Sequence, residues 1–539
     1  MKKKFIIILF LITIIGFCLR IFQVDQVPVG LSNDEISIAY NAHSIWQTGK
    51  DEYGISFPAS FKSHNTYKAP LIIYLAAPLT VIFGNTELAV RLPSVLFGSL
   101  TIFSLGVLVL QLFKRRDLGL IASFLLALSP WHIYTSRIAL ESNVALFFLV
   151  TGVVLLLQFI HKSRGLFLFL GVISFVLSVY GYHAEWVFTP LFVLTIFIIY
   201  RKSGIFSPCS KKKIIMGFLL GFILLLPIGL DYYHNLGTTA RANTEFFLND
   251  FRLHNLIASQ GHNNFLLQIA ITFYFWLASY LQYFSIPYLF FNGLSIFFDY
   301  SVMKFGLFLF ILVPFFIMGL FELKKIETKI KWFIISWLLL GPVVPSVTLG
   351  GANLVRNLIS IIPIIIIIAL GLSRLIDKGS FVIAKKIIIS SLILINFGFF
   401  YYSYLTVFPY YLAESWSYGF KEIALFAKTY EGDYDSIVID PQYGVENNNL
   451  VGVPSLFVLY FGEYSPEKYL NEKKDTDGLL QFGKYEFRSV KWPDEKPIGK
   501  TLYIVGAFST PVLGQHVKKV HTISLPTGKE AFVFYDFSN

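Results

Sequence analysis

Long apolar runs separated by short basic loops constrain this chain more than any other feature. The runs lie near residues 5–22, 92–113, 118–134, 138–160, 165–180, 186–200, 214–231, 305–321, 332–349, 352–372 and 387–408. A helix crosses a bilayer with about 20 residues, and several of these runs are shorter than that. The basic loops are Lys2–Lys4, Lys114–Arg116, Lys162–Arg164, Arg201–Lys213, Lys324–Lys331 and Arg374–Lys386. With eleven spans and the N-terminus in the cytoplasm, all of these loops face one side, as cytoplasmic loops do. Only 14% of the 539 residues are charged and 55% are hydrophobic. Soluble domains carry about 25% charge. The net charge of +11 therefore belongs to membrane-flanking loops, and no nucleic-acid partner is expected. Met1–Lys4 and the following run read as an uncleaved signal anchor, since no small-x-small site follows. Cys18 and Cys209 fall at different depths, so no disulfide is expected.

Two apolar stretches do not fit as spans. Pro70–Phe83 is too short for an easy crossing, and counting it would reverse the parity of every later basic loop. It is expected to lie in the outer interface. Phe265–Phe298 is aromatic-rich, interrupted by Pro287 and Gly293 and followed by Asp299. Aromatic rings favour interfacial depth, so it is expected there too. After Phe408 the composition turns mixed and polar. Tyr418–Tyr430 and Pro454–Gly462 read as helices, and Ser436–Asp440, Thr501–Val505 and Ala531–Phe537 as strands. The expectation is a polytopic α-helical membrane domain over 1–408, with an outer loop at 23–91, and a small α/β domain over 409–539 outside the cytoplasm.

This topology gathers Asp34, Glu35, His64, Lys68, Arg91, Arg137, Glu141, His183, Glu185 and Arg356 at the outer ends of spans. Ionisable groups at membrane depth are costly and mark functional sites by default. Each has a plainer reading beside it. Ser32-Asn33-Asp34-Glu35 suits a helix N-terminus, with acid in the first turn. Lys68 can snorkel to the headgroups, and Arg137 with Glu141 suits an i,i+4 ion pair. His64, Tyr182 and His183 are candidates for binding substrate. Arg356, between Asn353 and Asn357, is costly in lipid and is expected to face a cavity. The chain has no Walker A motif, no HExxH and no Gly-rich nucleotide fingerprint. Its cytoplasmic loops are too short to hold a nucleotide-sugar domain. An enzyme acting outside the cytoplasm without nucleotides needs a donor already in the membrane, and polyprenyl-phosphate sugars meet that need. A multi-pass transporter or lipid flippase is the competing class. It would more often show internal repeats and mid-membrane charges.

Several segments together resemble a family. Asp34-Glu35, Trp46, Gly49-Lys50-Asp51 and Lys68-Ala69-Pro70-Leu71 are similar to the first outer loop of GT-C glycosyltransferases. The type is that of protein O-mannosyltransferases and lipid A aminoarabinose transferases (glycosyltransferase families 39 and 83). Ala89–Ser94, the stretch from Ser129-Pro130 through Arg137 to Glu141, Phe290–Gly293 and Pro342–Arg356 extend the likeness over most of residues 1–408. The resemblance implies an inverting transferase that moves a sugar from a polyprenyl-phosphate monosaccharide to an acceptor hydroxyl. Asp34 would be general base, with Glu35 and Glu141 as neighbouring acids. Lys68, Arg137 and Arg356 would hold the carrier phosphate. No cofactor is required, and a metal is not indicated, although a carboxylate cavity has the chemistry to bind a divalent ion. Protein, lipid and glycan acceptors all stay open. The chain departs from the family in having Lys-Ala-Pro-Leu for Lys-Pro-Pro-Leu, and Glu141 where an aspartate is common.

Overall fold

A computed structural model describes residues 2–63, 66–203, 208–234, 246–261, 264–294, 305–376, 382–444, 450–476, 479–492, 494–495, 497, 499–511 and 517–537. The N-terminal run forms helix α1 (Lys2–Ile21). An outer segment follows, with α2 (Asn33–Thr48), a hairpin of β1 (Phe61–Ser63) and β2 (Thr66–Lys68), and α3 (Leu71–Ile82). Then come α4 (Glu87–Phe113), α5 (Arg116–Ala127), α6 (Pro130–Ser136), α7 (Glu141–Lys162), α8 (Gly165–Gly181), α9 (Glu185–Tyr200) and α10 (Pro208–His234). Further helices span Phe265–Gln282, Val313–Glu322, Thr328–Leu340, Ile361–Ile376 and Val382–Leu412.

Every one of the eleven expected spans contains helix, but not all at full length. Among the described residues, seven helices are long and apolar enough to cross a bilayer, or eight if α5 and α6, bent by 59°, form one broken span. The bend falls where Pro130 opens α6, since a proline starts a helix but cannot continue one. α8, α9 and Val313–Glu322 are shorter apolar helices. One of the seven was not expected as a span. Phe265–Gln282 is an uninterrupted 18-residue helix, because Pro287 and Gly293 fall beyond its end rather than inside it. Asp299 lies outside the described residues. α3 has 12 residues, too few to cross, as expected of an interfacial helix. Close packing rests on glycines. A Cβ on Gly319 or Gly371 would strike the backbone of Ile367 or Phe315, so helices Val313–Glu322 and Ile361–Ile376 touch backbone to backbone.

The last long helix runs to Leu412, with Pro409 inside it. Beyond it, helices Phe420–Tyr430, Pro454–Phe461 and Pro466–Glu472 pack with a seven-stranded sheet. Its strands are β3 (Ser436–Ile439), β6 (Lys474–Thr476), β7 (Leu479–Phe482), β8 (Tyr485–Phe487), β9 (Thr501–Gly506), β10 (Lys518–Ser524) and β11 (Glu530–Phe537), in the order β10-β11-β9-β3-β8-β7-β6. A separate pair joins β4 (Gln442–Tyr443) to β5 (Leu450–Val451). β3 runs parallel to both β9 and β8, and the other pairings are antiparallel. β9 is buried at every position, which is why Leu502–Val505 reads as a continuous apolar run.

One apolar core crosses from this sheet into the outer segment. It joins Leu31, Ile36, Phe61 and Ile73 to Phe420, Phe457, Tyr460 and Phe532. Polar bonds line the same seam: Asn85 donates to the Tyr460 carbonyl at 2.7 Å, and Lys421 meets Glu87 at 2.7 Å. The outer segment is thus shaped partly by residues four hundred positions later. Phe457→Ala, which empties the centre of that core, is expected to cost about 3–5 kcal/mol. It should also make residues 23–91 more sensitive to limited proteolysis. Cleavage of 23–91 at the wild-type rate in this variant would show that the two parts fold independently.

Candidate active site

Ser32 caps α2. Its side chain accepts from Glu35 N, and Glu35 Oε2 accepts from Ser32 N at 3.1 Å, a reciprocal capping box. The cap turns Glu35 inward. Its carboxylate is buried and takes further hydrogen bonds from Arg91 Nε at 2.8 Å, Arg91 Nη2 at 3.1 Å, Ala139 N at 2.9 Å and Trp416 Nε1 at 3.2 Å. Arg91 spends its remaining donors on the carbonyls of Val24, Pro28 and Gly30.

One residue along a helix is a turn of about 100°, so Asp34 points elsewhere. Its side chain is 75% exposed, yet Oδ1 lies 2.6 Å from Nζ of Lys68, whose own side chain is only 6% exposed. Lys68 ends β2, which pairs with β1 in the register Phe61↔Lys68. The next residue, Ala69, donates its N–H to Oε1 of Glu141 at 2.6 Å. Glu141 is the first residue of α7. Asp34, Lys68 and Glu141, far apart in sequence, therefore form one cluster at the rim, with Glu35 sealed beneath.

Arg137 is not in that cluster. It is fully buried, and its guanidinium donates to the carbonyls of Leu19, Arg20, Phe22, Gln23 and Val27, at 2.6–3.2 Å. It also stacks over Tyr404 at 5.4 Å. A cation there satisfies the C-terminal carbonyls of α1. Expected on the carrier phosphate, Arg137 instead ties α1 to the α6–α7 turn. Nor does it pair with Glu141 as i,i+4 spacing would allow, because α6 ends at Ser136 and α7 begins at Glu141. Arg356 is half-buried, with Nη1 donating to Leu349 O at 3.2 Å and its backbone N to Asn353 Oδ1 at 3.0 Å. Tyr182 is buried at the end of α8, and the His183 ring lies 5.3 Å from that of Trp186. His64 lies outside the described residues. Among the described residues no group of three His, Cys, Asp or Glu side chains is set to hold a metal ion.

Two contributors were not singled out from sequence. Trp416 follows the last span with no motif to mark it. Glu52 sits with Asp51 in a turn after α2, buried, its N–H on Asn41 Oδ1 at 3.0 Å. Burial pushes the Glu52 carboxyl up to about 8, and Asp51 beside it adds to the rise. The Asn41 side chain, Lys473 and Lys68 oppose it. Lys473 donates to the Glu52 carbonyl at 2.9 Å and stands 5.3 Å from the Tyr53 ring. An acid in a short turn has no periodicity to reveal that a distant lysine and the C-terminal helices will bury it.

Two measurements test these placements. Arg137→Ala leaves buried carbonyls without donors, each worth about 1–3 kcal/mol. It should lower the unfolding temperature sharply. A fully stable variant that only binds substrate poorly would return Arg137 to the phosphate. For Glu52, the ordinary value of 4.5 lies below the folded value of about 8. The folded state then holds a proton that the unfolded state has released, and stability falls as pH rises between the two. The stability gained by Glu52→Gln over wild type should grow from about pH 4.5 to about pH 8 and stay level above. A pH-independent difference would show that Glu52 is ionised throughout.

Residues 67–230 match the family model for dolichyl-phosphate-mannose-protein mannosyltransferase. A search of curated protein sequences finds no match. Among solved structures, the chain is similar to ArnT from Cupriavidus metallidurans in the apo state, with TM-score 0.56 and 10% identity, over 99% of this chain and 98% of that one. It is similar to the same protein bound to undecaprenyl phosphate, with TM-score 0.53, 9% identity, and 99% and 97% covered. The archaeal oligosaccharyltransferase AglB from Archaeoglobus fulgidus, in complex with an inhibitory peptide and a dolichol-phosphate, matches at TM-score 0.50 and 13% identity, over 81% of this chain. The chain spans only 60–62% of the length of the archaeal oligosaccharyltransferase chains it matches. In fold the chain is of the GT-C type, and residues 67–230 carry the match to a mannosyltransferase family.

Proposed function

We propose that the protein transfers a sugar from a polyprenyl-phosphate monosaccharide to an acceptor hydroxyl at the outer membrane face, with inversion and with Asp34 as general base. The observation that carries this reading is the contrast between neighbours. Glu35 is sealed by five hydrogen bonds, whereas Asp34 is exposed and held by a buried lysine. The undecaprenyl phosphate bound by ArnT and the dolichol-phosphate bound by AglB support a lipid-phosphate donor.

The Asp34–Lys68 pair suggests how the reaction starts. A donor phosphate arriving at the rim draws the Lys68 ammonium to itself, with Arg356 as a second cation. The Asp34 carboxylate is then released from Lys68. It takes the proton of the acceptor hydroxyl while that oxygen attacks the anomeric carbon from the face opposite the phosphate. The bond from that carbon to the phosphate oxygen breaks, and the carrier phosphate leaves with the electron pair, its charge met by Lys68. Glu141 fixes Ala69 and hence the approach of Lys68. Tyr182 and His183 are assigned to the substrate. The bilayer is the remaining partner, and the protein, lipid or glycan nature of the acceptor is not assigned. The N-terminus is assigned to the cytoplasm and residues 409–539 to the outside, on the placement of the basic loops.

Asp34→Asn is isosteric and keeps a hydrogen-bond acceptor for Lys68, but it cannot take a proton. It should leave expression and donor binding intact and slow sugar loss from polyprenyl-phosphate donors by about 10²–10⁴. Near-normal turnover of this variant at saturating substrates would remove Asp34 as base. No turnover by the wild type with any such donor, together with solute flux in liposomes, would establish the transporter.

A further inference from the structure

The helices that carry the Asp34 site have a second cavity at their other ends. α4 runs from Glu87, near the Arg91 that holds Glu35, to Phe113, and α7 runs from Glu141 to Lys162. Helix rises about 1.5 Å per residue, so Arg91 to Gln111 spans about 30 Å, the thickness of a bilayer's hydrocarbon core. A cavity of about 610 Å³ lies there, among the ends of α4, α7 and α9 and the start of helix Thr328–Leu340. It is therefore at the membrane face opposite the Asp34 cluster.

Its lining has two kinds of polar group above an apolar floor. Leu112, Ile160 and Ile330 are buried beneath it. Lys114 and Lys329 supply cations. Lys329 is bent along the wall, with Nζ on Ser203 Oγ at 3.1 Å and 5.9 Å from the Tyr200 ring. The other groups are acceptors. Gln111 Oε1 is buried and has no hydrogen-bond partner. His161 Nδ1 donates to Leu157 O at 2.6 Å, the tautomer in which a neutral imidazole offers Nε2 as an acceptor. Among the described residues Glu327 is the one acid of the lining. The C-terminal ends of α4, α7 and α9 add negative dipole ends.

A ligand for this cavity must satisfy both sets. Two lysines ask for an anion. An unpartnered amide oxygen, an imidazole acceptor, a carboxylate and three helix C-termini ask for a compact cationic donor. The apolar floor asks for a hydrocarbon attachment at the same level. We propose that the cavity binds a glycerophospholipid with a primary-amine headgroup from the leaflet at this face, phosphate on Lys114 and Lys329 and ammonium toward Glu327, His161 and Gln111. Basic pockets between helices at the cytoplasmic side commonly hold lipid headgroups. The acceptors here set the choice among lipids, because a quaternary choline head cannot donate hydrogen bonds to them.

The test offers full-length protein an equimolar mixture of phosphatidylethanolamine, phosphatidylcholine and phosphatidylglycerol in nanodiscs, and reads retained lipid by native mass spectrometry after release. Phosphatidylethanolamine should be retained over phosphatidylcholine by on the order of tenfold, the effect of one charged hydrogen bond. The double variant Lys114→Ala/Lys329→Ala should abolish retention. Glu327→Gln should keep binding but turn the preference toward phosphatidylglycerol. Neither inorganic phosphate nor soluble glycerophosphoethanolamine should displace the lipid, since neither fills the floor. Equal retention of the three lipids, unchanged preference in Glu327→Gln, or displacement by inorganic phosphate would overturn the proposal. Because every readout is lipid retention, the result is independent of the transfer reaction at the opposite face.

Discussion

The buried Glu35 carboxylate is the interaction on which the outer half of this molecule depends. Its donors come from the α2 cap, from α4 through Arg91, from the turn before α7 through Ala139, and from the C-terminal unit through Trp416. A buried carboxylate with a missing partner is penalised heavily, by about 3–5 kcal/mol when one side of a buried pair is removed. Four segments are therefore held in register by one side chain. The consequence for chemistry is geometric. With Glu35 fixed inward by the cap, helix geometry brings Asp34 out at the rim, where it meets Lys68.

Arginines in so apolar a chain divide by what surrounds them, not by where they lie in sequence. Arg91 and Arg137 both sit near helix ends and both donate to backbone carbonyls of the segment 19–30, Arg91 while also holding Glu35. Arg20 instead joins α1 to the end of α5, donating to Gly16, Leu126 and Ala127 and meeting His132 Nδ1 at 2.8 Å. The carbonyls at the end of α1 and in the turn after it take their donors from two guanidinium groups, Arg91 and Arg137. This is the membrane form of helix capping: where solvent is absent, a side chain must do what water does elsewhere.

What could be read from residues alone follows from this division. Apolar runs report helices because hydrophobic length is a local property, and the brevity of α3 and the buried strand β9 were equally local. The capping box at Ser32–Glu35 was visible as a motif, and it coexists with the exposed acid, as the two readings of Asp34-Glu35 allowed. Pro287 and Gly293 are local breakers as well, but where the helix before them ends, at Gln282, is set by more than their presence. Arg137 could not be assigned from sequence. Its role depends on carbonyls more than a hundred residues earlier, and its spacing to Glu141 suggested a helix that Pro130 and the α6–α7 turn prevent. Trp416 and Glu52 acquire their settings from the packing of the C-terminal unit, which no local pattern encodes.

The outer segment thus holds two acid–base pairs of opposite character one residue apart. Glu35–Arg91 has side-chain exposures of 2% and 0%, so neither partner can leave without stranding the other in a medium that cannot solvate it. Asp34–Lys68 has exposures of 75% and 6%. Its carboxylate loses little by parting, since pairs open to water are worth about 0–1 kcal/mol. Its lysine cannot stay unpaired, because burial makes a lone ammonium costly. In the proposed reaction an incoming phosphate resolves that asymmetry by replacing the carboxylate at Lys68. The cheap exchange depends on the rigid pair beneath it. If Glu35 were free to move, α2 could follow Asp34 outward, and the lysine would lose both its partner and its position at the rim.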